Sequence, residues 1–393
     1  MFKSYNRALF IYRLLCLSFL LGIILSKKLW FSDRLLPLIP TFRDLNFLPH
    51  PFDKVFLLLL GVFLFLGLFI KRVQLNTIFI LFISFLFCFS DQIRWQPWIY
   101  QYLLMFVPFA FFDYKKSYNI ILILEMIVII FIYFWTGIHK FQPQFIYYVF
   151  TPILKNLFHL SSYVINEYRN IGYVIPIIEI GISFFLFFRK TRNFGVIFLL
   201  FSHLFILYYL SPLGINFNQI VWPWNTAMIG FGFLLFFNNN EKIMRFDLKI
   251  SERVYFILFF ILVGVLPFFS LYNKWDHYLS FNVYSGKPNE LAVIIPENKN
   301  KVPRVINEYL VEGNLLNTET VINLNRWSMF ELNVPIPPQK RIYKLLSKKV
   351  VKHYNFEGVL LIRELKNKKS KFYYEGISKT GKNLPDQKFQ ENQ

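Results

Sequence analysis

The sequence predicts an all-α polytopic membrane bundle of about nine transmembrane helices, followed by a small C-terminal α+β domain outside the cytoplasm. Composition gives the first indication, because 55% of the 393 residues are hydrophobic and only 17% are charged, against about 25% charged residues in soluble domains. The second indication is the alternation of long apolar runs with short basic loops. The third is a change after residue 272, where no run is long enough to span a bilayer.

Nine apolar runs predict the helices of the bundle. A hydrocarbon core of about 30 Å needs about 20 residues at about 1.5 Å each, and about 17 still suffice. The runs at 76–90 and 98–112 are short, so they either form a re-entrant pair or extend into their flanks. The full set of runs is 8–26, 52–70, 76–90, 98–112, 118–136, 171–188, 194–210, 219–237 and 254–272.

Lysine and arginine set the expected orientation. They cluster at Lys71–Arg72, Lys115–Lys116 and residues 189–192, in alternate loops of the predicted bundle. By the positive-inside rule these loops are cytoplasmic. We therefore expect a bacterial inner (cytoplasmic) membrane protein with a cytoplasmic N-terminus and a periplasmic C-terminal domain. The net charge of +20 forms no single basic face, so we expect the lipid bilayer, not nucleic acid, as its partner.

The expected domains are the bundle at 1–272, a soluble α+β domain at 273–380 and a disordered tail at 381–393. Stretches 279–284, 291–295 and 359–362 are strand-like, and 340–352 reads as a basic helix entered after a proline-rich segment. The aromatic stretch 326–332 is either a core strand, because its apolar residues alternate, or a surface for an envelope protein partner of residues 273–380.

Two titratable residues lie at matching depths in neighbouring predicted helices. Glu179 precedes the turn near residue 191 by twelve residues, and His203 follows it by twelve. Antiparallel helices place both about 18 Å from the inner loop, so we expect a Glu179–His203 pair. The alternatives are a functional pair and a structural interhelical hydrogen bond.

Lys140 ends the fifth run, in Trp-Thr-Gly-Ile-His-Lys at 135–140. It is either a lysine that snorkels to the outer interface or a desolvated base. Gly137, one turn earlier, would allow a neighbouring helix to approach closely. His139 points away from Lys140 on a helix.

Polar and aromatic residues lie near two predicted outer loops, on the same side as Lys140. Together with Lys140 they predict one polar cavity that opens outward. Asp91 and Arg94 are spaced i, i+3 and can pair, while the tryptophans suit an aromatic belt. Glu125, near the inner third of its helix, is a further acidic candidate. The pocket candidates are His139, Asp91, Arg94, Trp95, Trp98, Trp222, Trp224 and Asn225.

Several kinds of chemistry have no motif in the chain. Cys16 and Cys88 lie inside apolar runs without a CxxC, so neither a disulfide framework nor thiol redox chemistry is expected. No metal is indicated, because cysteine and histidine lack ligand spacing. Phosphate-loop, HExxH and Gly-x-Ser-x-Gly motifs are also lacking.

Residues 133–141, Tyr-Phe-Trp-Thr-Gly-Ile-His-Lys-Phe, resemble the Y-x-x-A-G-x-x-K-L signature of the horizontally transferred transmembrane (HTTM) family, related to the vitamin K-dependent gamma-carboxylase. The resemblance continues through 176–228 with Glu179, Thr191-Arg192 and His203, and Tyr12-Arg13-Leu14-Leu15 resembles the family's opening. The wider DoxX-like membrane superfamily shares the Gly-x-x-Lys helix. Thr136 replaces the signature alanine, His139 replaces a neighbouring lysine, and the carboxylase's large lumenal domain has no counterpart.

This resemblance implies that Lys140 is the base that deprotonates a quinol, supported by His203 and Glu179. The cofactor or substrate would be a quinone-like lipid in an outer-leaflet pocket. The alternative is a non-catalytic membrane subunit that anchors a periplasmic domain in an envelope complex. A transporter ranks last, because no inverted repeat or pair of broken helices is found.

Overall fold

The structure, a computed structural model, describes residues 4–42, 45–243, 248–286, 290–313, 319–366 and 369–382. It divides into two compact units. The first consists of Met1–Leu25, Lys54–Leu86 and Trp95–Lys287, and the second of Ser26–Asp53, Phe87–Arg94 and Pro288–Gln393. The second unit is therefore assembled from three stretches that lie far apart in the sequence. The predicted domain boundary at residue 272 stays a prediction.

Within the described residues, a helix covers each of the nine apolar runs. The helices are α1 Ser4–Leu25, α2 Phe52–Gly67, α3 Val73–Ser90, α4 Pro97–Phe111, α5 Tyr118–Lys140, α6 Val174–Phe187, α7 Arg192–Leu210, α8 Val221–Phe236 and α9 Ile250–Phe259. Helix α6 continues a helical stretch that begins at Ser162, and α9 continues through π-helical and 3₁₀ turns to Tyr272. Shorter helices lie at Lys27–Trp30, Pro143–Phe145 and Thr151–Phe158.

Six of these helical stretches are long and apolar enough to cross a membrane. In the part of the chain that is described they are Tyr5–Leu25, Val73–Ser90, Tyr118–Lys140, Ser162–Phe187, Arg192–Leu210 and Ile250–Tyr272. The run expected at 76–90 extends into its N-terminal flank and reaches membrane length, whereas Pro97–Phe111 and Val221–Phe236 remain shorter.

Helix α5 is the central helix of the first unit. It packs against α6, α4, α1 and α8, and most of its residues are buried. The outer helices expose phenylalanine and leucine on one side, as at Phe65, Phe82 and Phe201. Lipid-facing helices have this pattern because every backbone polar group is already bonded within the helix.

The second unit contains a five-stranded antiparallel sheet of order β2-β3-β1-β4-β5. Val293 of the central strand pairs with Leu361 on one side and Asn323 on the other. Helices α10 Leu324–Leu332 and α11 Lys340–Tyr354 pack against the sheet. The strands are β1 Glu290–Pro296, β2 Leu310–Gly313, β3 Glu319–Asn323, β4 Gly358–Lys366 and β5 Lys369–Ile377.

Five expectations for this region can be checked. Strands near 291–295 and 359–362 and the helix from Lys340 are confirmed. The strand at 279–284 was wrong, because that stretch is a 3₁₀ turn followed by bends. Stretch 326–332 belongs to the core as expected, but as a helix: Trp327 is fully buried and stacks on Tyr309. The predicted tail, apart from residues 381 and 382, lies outside the described residues.

Candidate functional site

An ion pair between Lys140 and Glu179 lies at the C-terminal end of α5. The Lys140 ammonium donates to Oε1 of Glu179, and their side chains are only 8% and 14% exposed. The other carboxylate oxygen, Oε2, is buried and has no hydrogen-bond partner in the part of the chain that the structure describes. The site therefore combines a fixed positive charge with a free acceptor oxygen inside a helix bundle, where polar groups that lack a partner are costly.

Gly137 brings the two helices close enough for this ion pair. A Cβ atom added to Gly137 would lie 3.0 Å from the carbonyl oxygen of Pro176 and 3.1 Å from the backbone nitrogen of Ile180. These residues flank Glu179 on α6, and Gly137 lies one turn before Lys140 on α5. The expectation that Gly137 permits close helix approach is confirmed, since any larger residue would push α6 away.

His203 forms the second half of the site. Its Nδ1 lies 2.7 Å from Oδ1 of Asn225, and its Nε2 lies 2.5 Å from the Tyr133 hydroxyl. The amide nitrogen of Asn225 donates to the carbonyl of Val221, so Oδ1 faces the imidazole and can only accept. His203 therefore carries its proton on Nδ1, and Nε2 accepts from Tyr133.

The direct Glu179–His203 pair expected from helix depth was wrong. Glu179 pairs with Lys140, and His203 pairs with Tyr133 and Asn225. Depth matching fixes the level of a residue along a helix but not the direction in which its side chain points. Helix α5 supplies a partner both for Glu179 and for His203.

The two halves nevertheless form one electrostatic cluster. The charge of Glu179 acts on the Tyr133 hydroxyl, and the charge of Lys140 acts on His203. Tyr133 and Lys140 are seven residues apart, which places them two turns apart on one face of α5. Sequence reasoning missed Tyr133, although this spacing was a signal that could have found it.

His139, one of the predicted pocket residues, points away from Lys140 as expected. Its ring stacks on Trp135, and its Nε2 lies 3.4 Å from Oγ of Ser270. The indole of Trp135 donates to the carbonyl of Gly264. His139 therefore ties α5 to the helical stretch at 250–272.

The predicted tryptophans of the first unit divide by role. Trp224 donates to Oε1 of Gln101 at 2.8 Å, a polar link that sequence reasoning missed. Trp222 and Trp98 each hold a buried indole N–H that lacks a hydrogen-bond partner. Trp95 lies in an aromatic cluster with Phe85 and Tyr100. Asn225 bonds directly to His203 of the Lys140–Glu179–Tyr133–His203 cluster.

Asp91 and Arg94 belong to the second unit, and their assignment to the pocket stays a prediction. The expected i, i+3 contact is present at 4.0 Å, but the closer partner of Asp91 is Arg34 at 2.6 Å. The Arg94 guanidinium donates to the carbonyls of Leu29, Trp30 and Phe87. Burial lowers the pKa of Arg94 to about 10, while Asp91 acts in the opposite direction. These residues bind backbone and hold loops together.

Two other titratable groups remain outside the cluster. Glu125 is fully buried in α5, and neither of its carboxylate oxygens has a hydrogen-bond partner. In the second unit, Asp33, His50 and Asp53 bring three possible metal-ligand atoms within 4.8 Å of one another, which the sequence spacing did not indicate. Asp53 already accepts two hydrogen bonds from Ser32, and the other two side chains are exposed.

Comparison with known proteins gave no match to any protein-family model, curated protein or solved structure. The class of protein is therefore defined by the fold alone: a helical chain with six membrane-length apolar helices and a small antiparallel sheet.

Proposed function

We propose that the Lys140 cluster binds and deprotonates a hydroxyl-bearing, quinol-like lipid, as the resemblance to the HTTM family implies. The observation that carries the proposal is the free Oε2 of Glu179 beside a buried ammonium. A quinol hydroxyl that donates to Oε2 would satisfy this oxygen. Because a buried carboxylate–ammonium pair can share a proton, the two residues act as one base.

Each residue of the cluster then has a role. Glu179 accepts the hydroxyl proton, and the Lys140 ammonium stabilises the oxygen anion that remains, as fixed charges do in a site of low dielectric. Ion pairing thus changes the role expected for Lys140, from free base to cationic partner of the base. Tyr133, His203 and Asn225 form a hydrogen-bonded row that holds one side of the site in a fixed orientation.

Lipid extraction and mass spectrometry of the detergent-purified protein test this proposal. We expect about one quinone per chain in the wild type and at least a roughly tenfold depletion in Lys140→Ala, because the charge that holds the head group is lost. Lys155→Ala removes an exposed lysine of the same unit and should retain the quinone. Equal retention in Lys140→Ala and wild type would rule out a quinone site at Lys140.

A non-catalytic membrane subunit is the second candidate. It is favoured by Phe330 of α10, which is 72% exposed although the helix buries Trp327. Exposed large aromatic residues are common at interaction surfaces. Absence of enriched quinone from wild type and variants alike would favour this candidate over the first.

We further propose that all nine helices cross the bilayer, that the N-terminus is cytoplasmic and that residues 273–380 are periplasmic. Cys16 and Cys88 are both free and buried, so introduced cysteines can be labelled over a low background. In spheroplasts, an impermeant maleimide should label Lys379→Cys at once and Lys190→Cys only after lysis. Labelling of Lys190→Cys in intact spheroplasts would contradict this orientation.

A further inference from the structure

Arg13 is an unpaired cation within the first membrane-length helix. It is the ninth residue of the span Tyr5–Leu25, and its Nε is buried without a hydrogen-bond partner. Among the described residues, no nitrogen of Arg13 has a hydrogen-bond or ion-pair partner. A guanidinium within a span is costly unless it is paired, so this side chain requires a partner that the described residues do not supply.

The surroundings of Arg13 form an apolar groove of about 360 Å³. It lies among α1, α8 and the end of α2, and its lining is Phe10, Arg13, Leu14, Leu17, Leu68 and Leu234. Apart from the arginine, the lining consists of hydrocarbon side chains. An occupant must therefore be apolar over most of its length and negatively charged at one point.

The groove lies near one end of the bundle. Leu68 follows the last residue of α2, and Leu234 lies two residues before the end of α8. The chain continues from Leu68 to Lys71 and Arg72, which line a second, polar cleft of about 390 Å³ together with Lys115 and Asp113. The apolar groove therefore lies only a few residues along the chain from a cluster of net positive charge.

From this charge distribution we propose that the groove is a specific site for an anionic phospholipid. The phosphate pairs with the Arg13 guanidinium in a charge-assisted hydrogen bond, and an acyl chain fills the space between Leu17, Leu68 and Leu234. The nearby Lys71 and Arg72 favour a head group with net negative charge over a zwitterionic one.

Native mass spectrometry of the full chain with defined lipids tests this site. The probes are phosphatidylglycerol and phosphatidylcholine with the same acyl chains. We expect one tightly bound phosphatidylglycerol in the wild type, weaker binding of phosphatidylcholine, and at least a roughly tenfold loss of phosphatidylglycerol affinity in Arg13→Gln. Arg13→Lys keeps the charge and should keep most of the binding.

Lys190→Gln is the control, because it removes an exposed positive charge of the same unit that does not line the groove. It should bind phosphatidylglycerol within about twofold of wild type, as expected for a screened surface charge. Equal losses in Arg13→Gln and Lys190→Gln would show non-specific attraction and overturn the proposal. Wild-type affinity in Arg13→Gln, equal binding of both lipids, or full competition by water-soluble glycerol phosphate would overturn it too.

Discussion

Replacement of Asp91 by alanine is expected to destabilise the second unit by about 3–5 kcal/mol, the range found when one partner of a buried ion pair is removed. Asp91 accepts from Arg34 at 2.6 Å and from the backbone N–H groups of Ile39 and Ile93. Its loss removes the ion-pair partner of the buried Arg34 guanidinium and the carboxylate that lies 4.0 Å from Nε of Arg94.

Hydrogen exchange at the Ile39 amide measures this effect locally, because that N–H donates to Asp91. We expect exchange at Ile39 to accelerate by at least about a hundredfold in Asp91→Ala, given that 1.4 kcal/mol corresponds to a factor of about ten. Glu297→Ala removes an exposed carboxylate of the same unit and should change stability by less than about 0.5 kcal/mol. Unchanged protection at Ile39 would show that Asp91 does not hold this loop.

The second large effect is expected at the Lys140–Glu179 ion pair. Glu179→Leu leaves a buried ammonium without its partner and should destabilise the first unit by about 3–5 kcal/mol. Combining it with Lys140→Met removes the charge as well. Because apolar replacement of a whole buried ion pair is often neutral, the double variant should recover most of the lost stability.

A double-mutant cycle followed by thermal unfolding in detergent gives the coupling energy. The double variant also separates structure from function, because it should fold normally and yet retain no quinone. Recovery of both stability and quinone in the double variant would mean that the ion pair serves folding alone. Failure of the double variant to recover stability would show that another interaction dominates at this position.

Hydropathy and composition predicted the helices of the bundle well. A helix in lipid satisfies its backbone hydrogen bonds internally and carries apolar side chains, so a long apolar run in the sequence identifies it. The strands near residues 291 and 359 and the helix from Lys340 were likewise found from local patterns. The helical structure of stretch 326–332 was not predicted. Its alternating apolar residues fit a strand, whereas Asn323 caps a helix there. Short apolar runs do not distinguish the two structures.

The sequence predicted which residues form the site better than it predicted which of them pair with each other. Lys140, Glu179, His203 and Asn225 were all candidates, but the partner of each depends on how the helices are rotated about their axes. This rotation is set by close contacts such as that of Gly137 with Pro176 and Ile180. The sequence alone does not show which of these contacts form. The ion pair of Arg34 with Asp91 was missed, as was the bonding of Glu331 to the backbone N–H groups of Leu35 and Leu36, because these partners lie far apart in the chain.

The second unit is built from three distant segments of the chain. This constrains the order in which its contacts can form during synthesis. The Arg94 guanidinium donates to the carbonyls of Leu29, Trp30 and Phe87, which are all synthesised before Arg94, so these bonds can form early. The amides of Leu35 and Leu36 instead bind the carboxylate of Glu331, which is made some 240 residues after Arg94. At about 5–20 residues per second, Glu331 is synthesised roughly 12–50 s after Arg94. The rate of translation therefore separates the first contacts of this unit from the last ones in time.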